Sequence, residues 1–441
     1  MFKKLTLSAA VLVLIVACEN TDDMTQKDFT VRIENISQAK TYPASGVFNT
    51  PVGASEAGPL LPGNSFESHF SAAIGQKLSF AAMFGQSNDF FYAPDGEGID
   101  LYDAMGNQIT GDITDQVMLW DAGTELNQEP GLGADQAPRQ SAANTGAADS
   151  DNTVRPAADS FNNLPLVADV IQVTLTSEGP SEFLLKIENV GSSTTLSTSD
   201  GMTHPAPVSP GVYVIHTDSN VLFAAGQPDM GKGLEAIAED GDPSTLAAEL
   251  AESSGITQVF SPGVYAIHKA ANPIFTDGVA DRGEGLESLA EDGDPSTLAA
   301  SLSANTDIIS SGVYNTPVGA SGPAPIGPGE TFEFDFTASQ GEYLSFASML
   351  GQSNDLFIAP GGAGIALFNG SSANSGDVTN SVLLWDAGTE VNETPGFGAN
   401  QAPRQSAVNT GSDESGTVRE VDDMYEYPAL SDLIQVTIIS N

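Results

Sequence analysis

The chain has 441 residues, 40% of them hydrophobic, which is enough for two or three domains with ordinary cores. Its 58 acidic residues outnumber 14 basic ones, for a net charge of −44. Phosphate binding rests on clustered lysine and arginine, so this balance argues against nucleic acid and for a soluble, cation-attracting surface. A salt-rich habitat accounts for the overall charge equally well, so only local carboxylate geometry can mark a site.

A short basic head (residues 1–4) precedes an apolar run, LTLSAAVLVLIVA (5–17), of signal-peptide length and too short to span a membrane. Cys18, the single cysteine, follows Ile15-Val16-Ala17, a junction that resembles a bacterial lipobox, in which the cysteine is lipidated and becomes the mature N-terminus. The expectation is a lipoprotein signal peptide at 1–17, a polar tether at 18–27, and a mature chain exported and lipid-anchored to the bacterial cell envelope, on its periplasmic or cell-surface side. An exported chain without disulfides must be stabilised by its cores or by bound ions.

Phe29, Val31 and Ile33 alternate in FTVRIENIS, the pattern of a half-buried strand, and FLLKIENVG at 183–191 repeats it. Strands rich in β-branched residues recur at 170–176 (VIQVTLT) and 433–439 (LIQVTII), and short apolar runs cut by Gly, Pro, Asn and Asp lie between. This is the punctuation of an all-β chain. The repeats predict two tandem β domains, 28–177 and 181–441, joined by Glu178-Gly179-Pro180.

The second domain is expected to carry an insertion at about 205–308, because about a hundred extra residues precede SGVYNTPVGA (311–320), whose counterpart SGVFNTPVGA (45–54) has no such lead. The insertion itself repeats: SPGVYVIH (209–216) and SPGVYAIH (261–268) are followed by GLEAIAEDGDPSTLAA (233–248) and GLESLAEDGDPSTLAA (285–300). Leu234, Ile237 and Ala238 fall at helical spacing, Gly241 suits a left-handed cap, and Asp242-Pro243 opens a second helix. Each unit therefore reads as a strand and two short helices. Asp240-Gly241-Asp242 lacks the ligand spacing of a helix-loop-helix calcium site and reads as capping.

The longest duplication is VMLWDAGTELNQEPGLGADQAPRQSAANTG (117–146) against VLLWDAGTEVNETPGFGANQAPRQSAVNTG (382–411), each preceded by an LSFA…QSND segment (78–94 and 344–360). Asp121 and Glu125 are close in sequence, with Gly123 allowing a turn between them, and Asp89 can converge from a neighbouring loop; Asp355, Asp386 and Glu390 repeat the set. Such carboxylates, with loop carbonyls, suit a hard cation such as Ca²⁺, and the lack of nearby His or Cys argues against zinc. Unbound acidic loop residues that cap backbone N–H groups are the alternative.

The SNDFF…WDAGTE pairing resembles the spondin domain of F-spondin and mindin, and the further stretches NTPVGA, QSND, LLWDAGTE and QAPRQSA are similar to bacterial spondin-domain lipoproteins across nearly the whole chain after Met24. The resemblance implies a C2-like antiparallel β-sandwich with calcium at its loop end. It assigns the metal to Asp89, Asp121 and Glu125 in the first domain and to Asp355, Asp386 and Glu390 in the second. The family's final aspartate is glutamate in both copies here, and the disulfides and thrombospondin repeats of the animal proteins are missing.

Other candidates are weaker. His216 and His268, at equivalent places in the repeated insertion, read as structural histidines, and Arg139 and Arg404 as partners of nearby carboxylates. Trp120 and Trp385 read as core residues. No Gly-x-Ser-x-Gly elbow is present, and carboxylates that hold calcium are not free for glycoside cleavage. The expectation is a non-enzymatic envelope protein binding an extracellular protein or glycan, with a metal-assisted polysaccharide hydrolase or a purely structural matrix component as alternatives.

Overall fold

In the computed structural model, which describes residues 26–157 and 161–441, strand Lys27–Asn35 buries Phe29, Val31 and Ile33 as their alternation predicts. The expected signal peptide, Cys18 and most of the tether lie outside the described residues. This first strand lies between Thr331–Ala338 and Ile434–Ser440, antiparallel to both, with Val31 opposite Phe334 and Ile438. Its sequence counterpart, Glu182–Asn189, lies likewise between Ser65–Ser71 and Ile171–Ser177. The fold is mostly β and antiparallel, as expected for an all-β chain.

Strand pairing does not divide the chain at residues 177–181, however. Ile171–Ser177 runs straight into Glu182–Asn189 as a hairpin, closed by the Glu178 amide donating to the Glu182 carbonyl at 3.0 Å. So short a connection favours pairing of the strands that it joins. The second FxxxIEN strand therefore completes the first sandwich, and Lys27–Asn35 completes the second.

The other sheet of each sandwich corrects the expected insertion. In the first, the order is Ala44–Phe48, Val208–His216, Lys77–Phe84, Phe90–Ala93, Met118–Asp121 and Arg155–Pro156. In the second it is Ile308–Tyr314, Phe260–His268, Tyr343–Leu350, Leu356–Pro360, Val382–Asp386 and Arg419–Glu420. One repeat unit thus supplies an inner strand to each sandwich, and the stretch at about 205–308 is not an insertion into the second alone. The cause is legible in strand Lys77–Phe84, which is apolar on both faces. Leu78, Phe80 and Phe84 pack into the core between the sheets. Ala81 faces outward with Phe91 and Trp120, and Leu234, Ile237, Leu246 and Leu250 of the helices cover it. A sheet with two apolar faces needs a layer on each. The second unit covers the second sandwich in the same way through Leu286, Leu289, Leu298 and Leu302.

The strand-helix-helix reading of each unit holds. Gly241 ends helix Leu234–Asp240 at φ 66°, and the Asp242 carboxylate caps the next helix by accepting from the Ser244 amide at 2.9 Å. The segments that cross between the sandwiches run side by side: Thr41 N–H donates to Ser253 O and Gly255 N–H to Tyr42 O, each at 2.9 Å.

This pairing makes a directional prediction. Phe29 is fully buried and stacks on Phe336 with ring centroids 5.6 Å apart. Phe29→Ala is expected to destabilise its sandwich by about 3–5 kcal/mol. Amide exchange should accelerate in Thr331–Ala338 and Ile434–Ser440, while Ser65–Ser71 keeps its protection; loss confined to Ser65–Ser71 would refute the pairing.

Candidate metal centre

The first acidic cluster forms where two neighbouring strands end. Phe90 pairs opposite Asp121, which places Asp89, one residue earlier, beside the Asp121 strand end. The Asp89 carbonyl accepts from the Ala122 amide at 3.0 Å, and its Oδ2 accepts from the Thr124 and Glu125 amides at 2.8 and 3.1 Å. The turn between Asp121 and Glu125 requires Gly123 at φ 71°, and Asp121 Oδ1 accepts the Gly123 amide at 2.8 Å. Glu125 folds back toward residues 145–146, its Oε1 accepting the Gly146 amide at 2.6 Å and its Oε2 the Asn88 side chain at 3.1 Å. A Cβ at Gly146 would force that carboxylate to shift.

Asp89, Asp121 and Glu125 are all buried, and one nearby guanidinium partly offsets them: Arg155 Nη2 lies 2.9 Å from Asp121 Oδ2 and 2.7 Å from Asp149 Oδ2. Burial, reinforced by the Asp121 charge, pushes the Asp89 carboxyl up to about 7. Burial also raises Asp121, against the opposing pull of Asn127, the Gly123 amide and Arg155. Asp89 Oδ1 and Asn127 Oδ1 are buried with no hydrogen-bond donor. Such lone pairs are costly in a protein interior unless a proton or a cation meets them.

The second cluster repeats this frame: Asp355 Oδ2 accepts the Thr389 and Glu390 amides at 2.8 and 3.1 Å, and Asp386 Oδ1 the Gly388 amide at 2.7 Å. Asp355, Asp386 and Glu414 each place an oxygen within 4.8 Å of the others, a group that can hold a metal ion. Arg419 already bridges two of its members, with Nη2 at 2.7 Å from Asp386 Oδ2 and 2.9 Å from Glu414 Oε1. Glu390, the expected third ligand, stands outside this group, and Glu414 takes its place. The Glu390 Oε1 atom and Asp355 Oδ1 are instead buried without donors. The copies differ here because Glu393 replaces Gln128 and draws the Asn354 amide to itself at 3.3 Å, whereas Asn88 donates to Glu125. Burial and Asp355 push Glu390 up to about 7, and burial and Asp386 push Asp355 up to about 6.

Glu239 and Glu291, at the ends of the first helices of the repeat units, are buried carboxylates that sequence reasoning did not select. Burial pushes them up to about 8 and about 7, and Glu125 and Asp89 add to the first as Glu390 and Asp355 do to the second. The signal was the AED triplet present in both units. Arg155 and Arg419 were also missed. They belong to TVR, a triplet repeated beyond the long duplication.

The remaining candidates prove structural. Trp120 and Trp385 donate to the Ala93 and Ala359 carbonyls at 3.2 and 3.1 Å from within the helix-covered core. His216 is fully buried, with Nδ1 at 2.6 Å from Asp218 O and Nε2 at 2.9 Å from Ser79 Oγ; His268 and Ser345 repeat the pair. Arg139 does not pair with a carboxylate as expected. It donates to Gly133 O, Gln86 Oε1 and Gln136 Oε1 at 2.7–2.9 Å and so fastens its own loop.

The raised carboxyl values set a pH dependence. Asp89, Asp355, Glu390, Glu239 and Glu291 hold protons in the folded chain that an unfolded chain sheds near pH 4. Their contribution to stability is full below that pH and is lost as pH rises through about 6–8. In chelator, the melting temperature is expected to fall between pH 5 and pH 8; a rise across that interval would contradict the burial of these groups.

No family model matches the chain, and no curated protein matches it.

Proposed function

We propose that the protein is an exported, lipid-anchored envelope protein whose two β-sandwiches each bind calcium and present ion-ordered loops to an extracellular protein or glycan. The observation that carries this reading is the pairing of buried, donor-free carboxylate oxygens with loops at equivalent strand ends in both sandwiches. The ligand atoms are oxygen only, and hard cations take about six to eight such oxygens, with carbonyls and waters completing the shell. Asp89, Asp121 and Glu125 would contribute to the first site, and Asp355, Asp386, Glu390 and Glu414 to the second. Bound calcium supplies positive charge that replaces protons on these groups and fixes the loops that carry them.

The spondin resemblance supports calcium and an adhesive or ligand-binding role, and the lipobox-like junction at Cys18 supports the anchor. Among the described residues no helix is long and apolar enough to cross a membrane. A cleft of about 690 Å³ lies where sandwich elements meet, lined by Ile74, Tyr102, Phe397, Met424 and Tyr425. One wall is loop 391–400, which continues directly from the second acidic cluster. Ion binding and the shape of this cleft are thereby linked. A non-enzymatic role accords with acidic groups committed to backbone amides, to Arg155 or Arg419, and to a cation.

Saturating calcium should raise the melting temperature at pH 8, and a chelator should reverse the gain. Extracellular calcium modules work at about 10⁻⁴–10⁻³ M, so millimolar calcium suffices. On panels of immobilised envelope polysaccharides and matrix proteins, binding should require calcium and weaken in Tyr425→Ala, which trims the cleft wall. Identical melting curves with calcium and chelator would remove the proposal, and turnover of a polysaccharide would favour the hydrolase alternative.

A further inference from the structure

We infer that the repeat-unit helices supply a ligand to each cation site, Glu239 to the first and Glu291 to the second, so that calcium fastens the helical layer to the acidic loops. This deepens the calcium reading and rests on it.

Glu239, in the last turn of helix Leu234–Asp240, is 2% exposed, yet neither of its carboxylate oxygens has a donor within hydrogen-bonding distance, the nearby Thr124 hydroxyl being given to Asp89 Oδ2 at 3.3 Å. A carboxylate buried in that state is costly unless a cation or proton meets it. Its charged neighbours are Glu125, Asp89 and Glu235, and Thr124 of the WDAGTE turn lies beside it. Ala238, the residue before Glu239, packs in one buried cluster with Phe91, Trp120 and Ala122, which sets Glu239 at the edge of the acidic turn.

The backbone around Glu239 is held in register with that turn by contacts made by its neighbours. Gln140 Nε2 donates to Asp240 Oδ1 at 2.7 Å, the Asn144 amide to the same oxygen at 3.3 Å, and the Asn144 side chain to Glu235 Oε1 at 3.1 Å. The residues before and after Glu239 along that face are thus satisfied by the QSAANTG loop, and Glu239 alone is left without a donor. The second copy shares the loop contacts and the burial, with Glu291 3% exposed and Ala290 packed in one cluster with Trp385 and Ala387; the donor-free oxygens there are those of Asp355 and Glu390. Gln405 donates to Asp292 at 3.0 Å and Asn409 to Glu287 at 3.1 Å, while the buried Glu291 lies among Thr389, Glu390 and Asp355. Two independent helices thus bring a buried glutamate to two equivalent clusters. A solvated acidic surface would not bury these side chains, and a packing role would not require a carboxylate.

The test uses the mature chain and calcium itself, titrated calorimetrically at pH 8 into wild type, Glu239→Gln, Glu291→Gln and Asp89→Asn. Two sites are expected in wild type. Each glutamine variant should weaken one site by about tenfold or more, since calcium affinity follows ligand charge, and leave the other unchanged. Without calcium, the same variants should melt above wild type, because a buried repulsive charge has been removed. That opposite sign separates a ligand from a packing residue, whose loss lowers stability in both conditions. Unchanged affinity in both glutamine variants, with the first site lost in Asp89→Asn, would overturn the helical ligand alone. Absence of calcium binding in wild type would overturn the site reading itself, and with it this inference.

Discussion

Buried negative charge without adequate compensation is the constraint on which the rest of the structure depends. In the first cluster Asp89, Asp121 and Glu125 are buried at neighbouring strand ends, and Arg155 bridges Asp121 and Asp149. In the second Asp355, Asp386 and Glu390 are buried likewise, and Arg419 bridges Asp386 and Glu414. Each cluster is partly neutralised by backbone amides: Asp89 and Asp355 accept two apiece from their WDAGTE turns. Those contacts set the turn geometry but leave lone pairs over. Protons can meet the remainder at low pH, and a divalent cation can meet it at neutral pH.

The three-layer build is what brings these groups together. Were the outer face of Lys77–Phe84 polar, as in a simple two-sheet sandwich, no helical layer would be needed and no helix glutamate would approach the turn. Because Ala81, Phe91 and Trp120 face outward, the helices must dock there, and docking carries the AED segment to the acidic loop. The same hydrophobic requirement thus closes the core and buries Glu239 at the edge of the acidic turn. The strand exchange follows a related logic. A hairpin across Glu178–Ser181 takes strand Glu182–Asn189 into the first sandwich, which leaves Lys27–Asn35 to fill the equivalent slot in the second.

Much of this was legible in the residues. Alternation in FTVRIEN and EFLLKIEN, the β-branched runs near 171 and 434, and the Gly-Asp-Pro caps of the helices all appear as their patterns predict. Asp89 and Asp121 come together because strand punctuation placed both at strand ends. Partner choice was not legible, since two near-identical strands offer the same apolar faces and only loop length decides between them. The helical units read as an insertion because linear spacing carries no information on which sheet a strand joins, although the doubly apolar LSFAAMF strand calls for a second cover. Glu239 carries no signal of burial in the sequence, because an acidic residue at a helix end ordinarily faces water. Its burial is a consequence of docking, which periodicity within the helix does not encode. Arg155 and Arg419 lie more than thirty residues beyond their aspartates, a separation at which sequence alone gives no pairing.

The most direct test of the central claim is the position of a bound ion. Crystals grown with calcium, or exchanged with a lanthanide for its anomalous signal, should show two strong peaks per chain. One should lie about 2.3–2.6 Å from carboxylate oxygens of the Asp89–Asp121 cluster and the other equivalently at Asp355–Asp386, the spacing of calcium–oxygen bonds. Peaks confined to exposed surface carboxylates, with both buried clusters left to protons, would contradict the account.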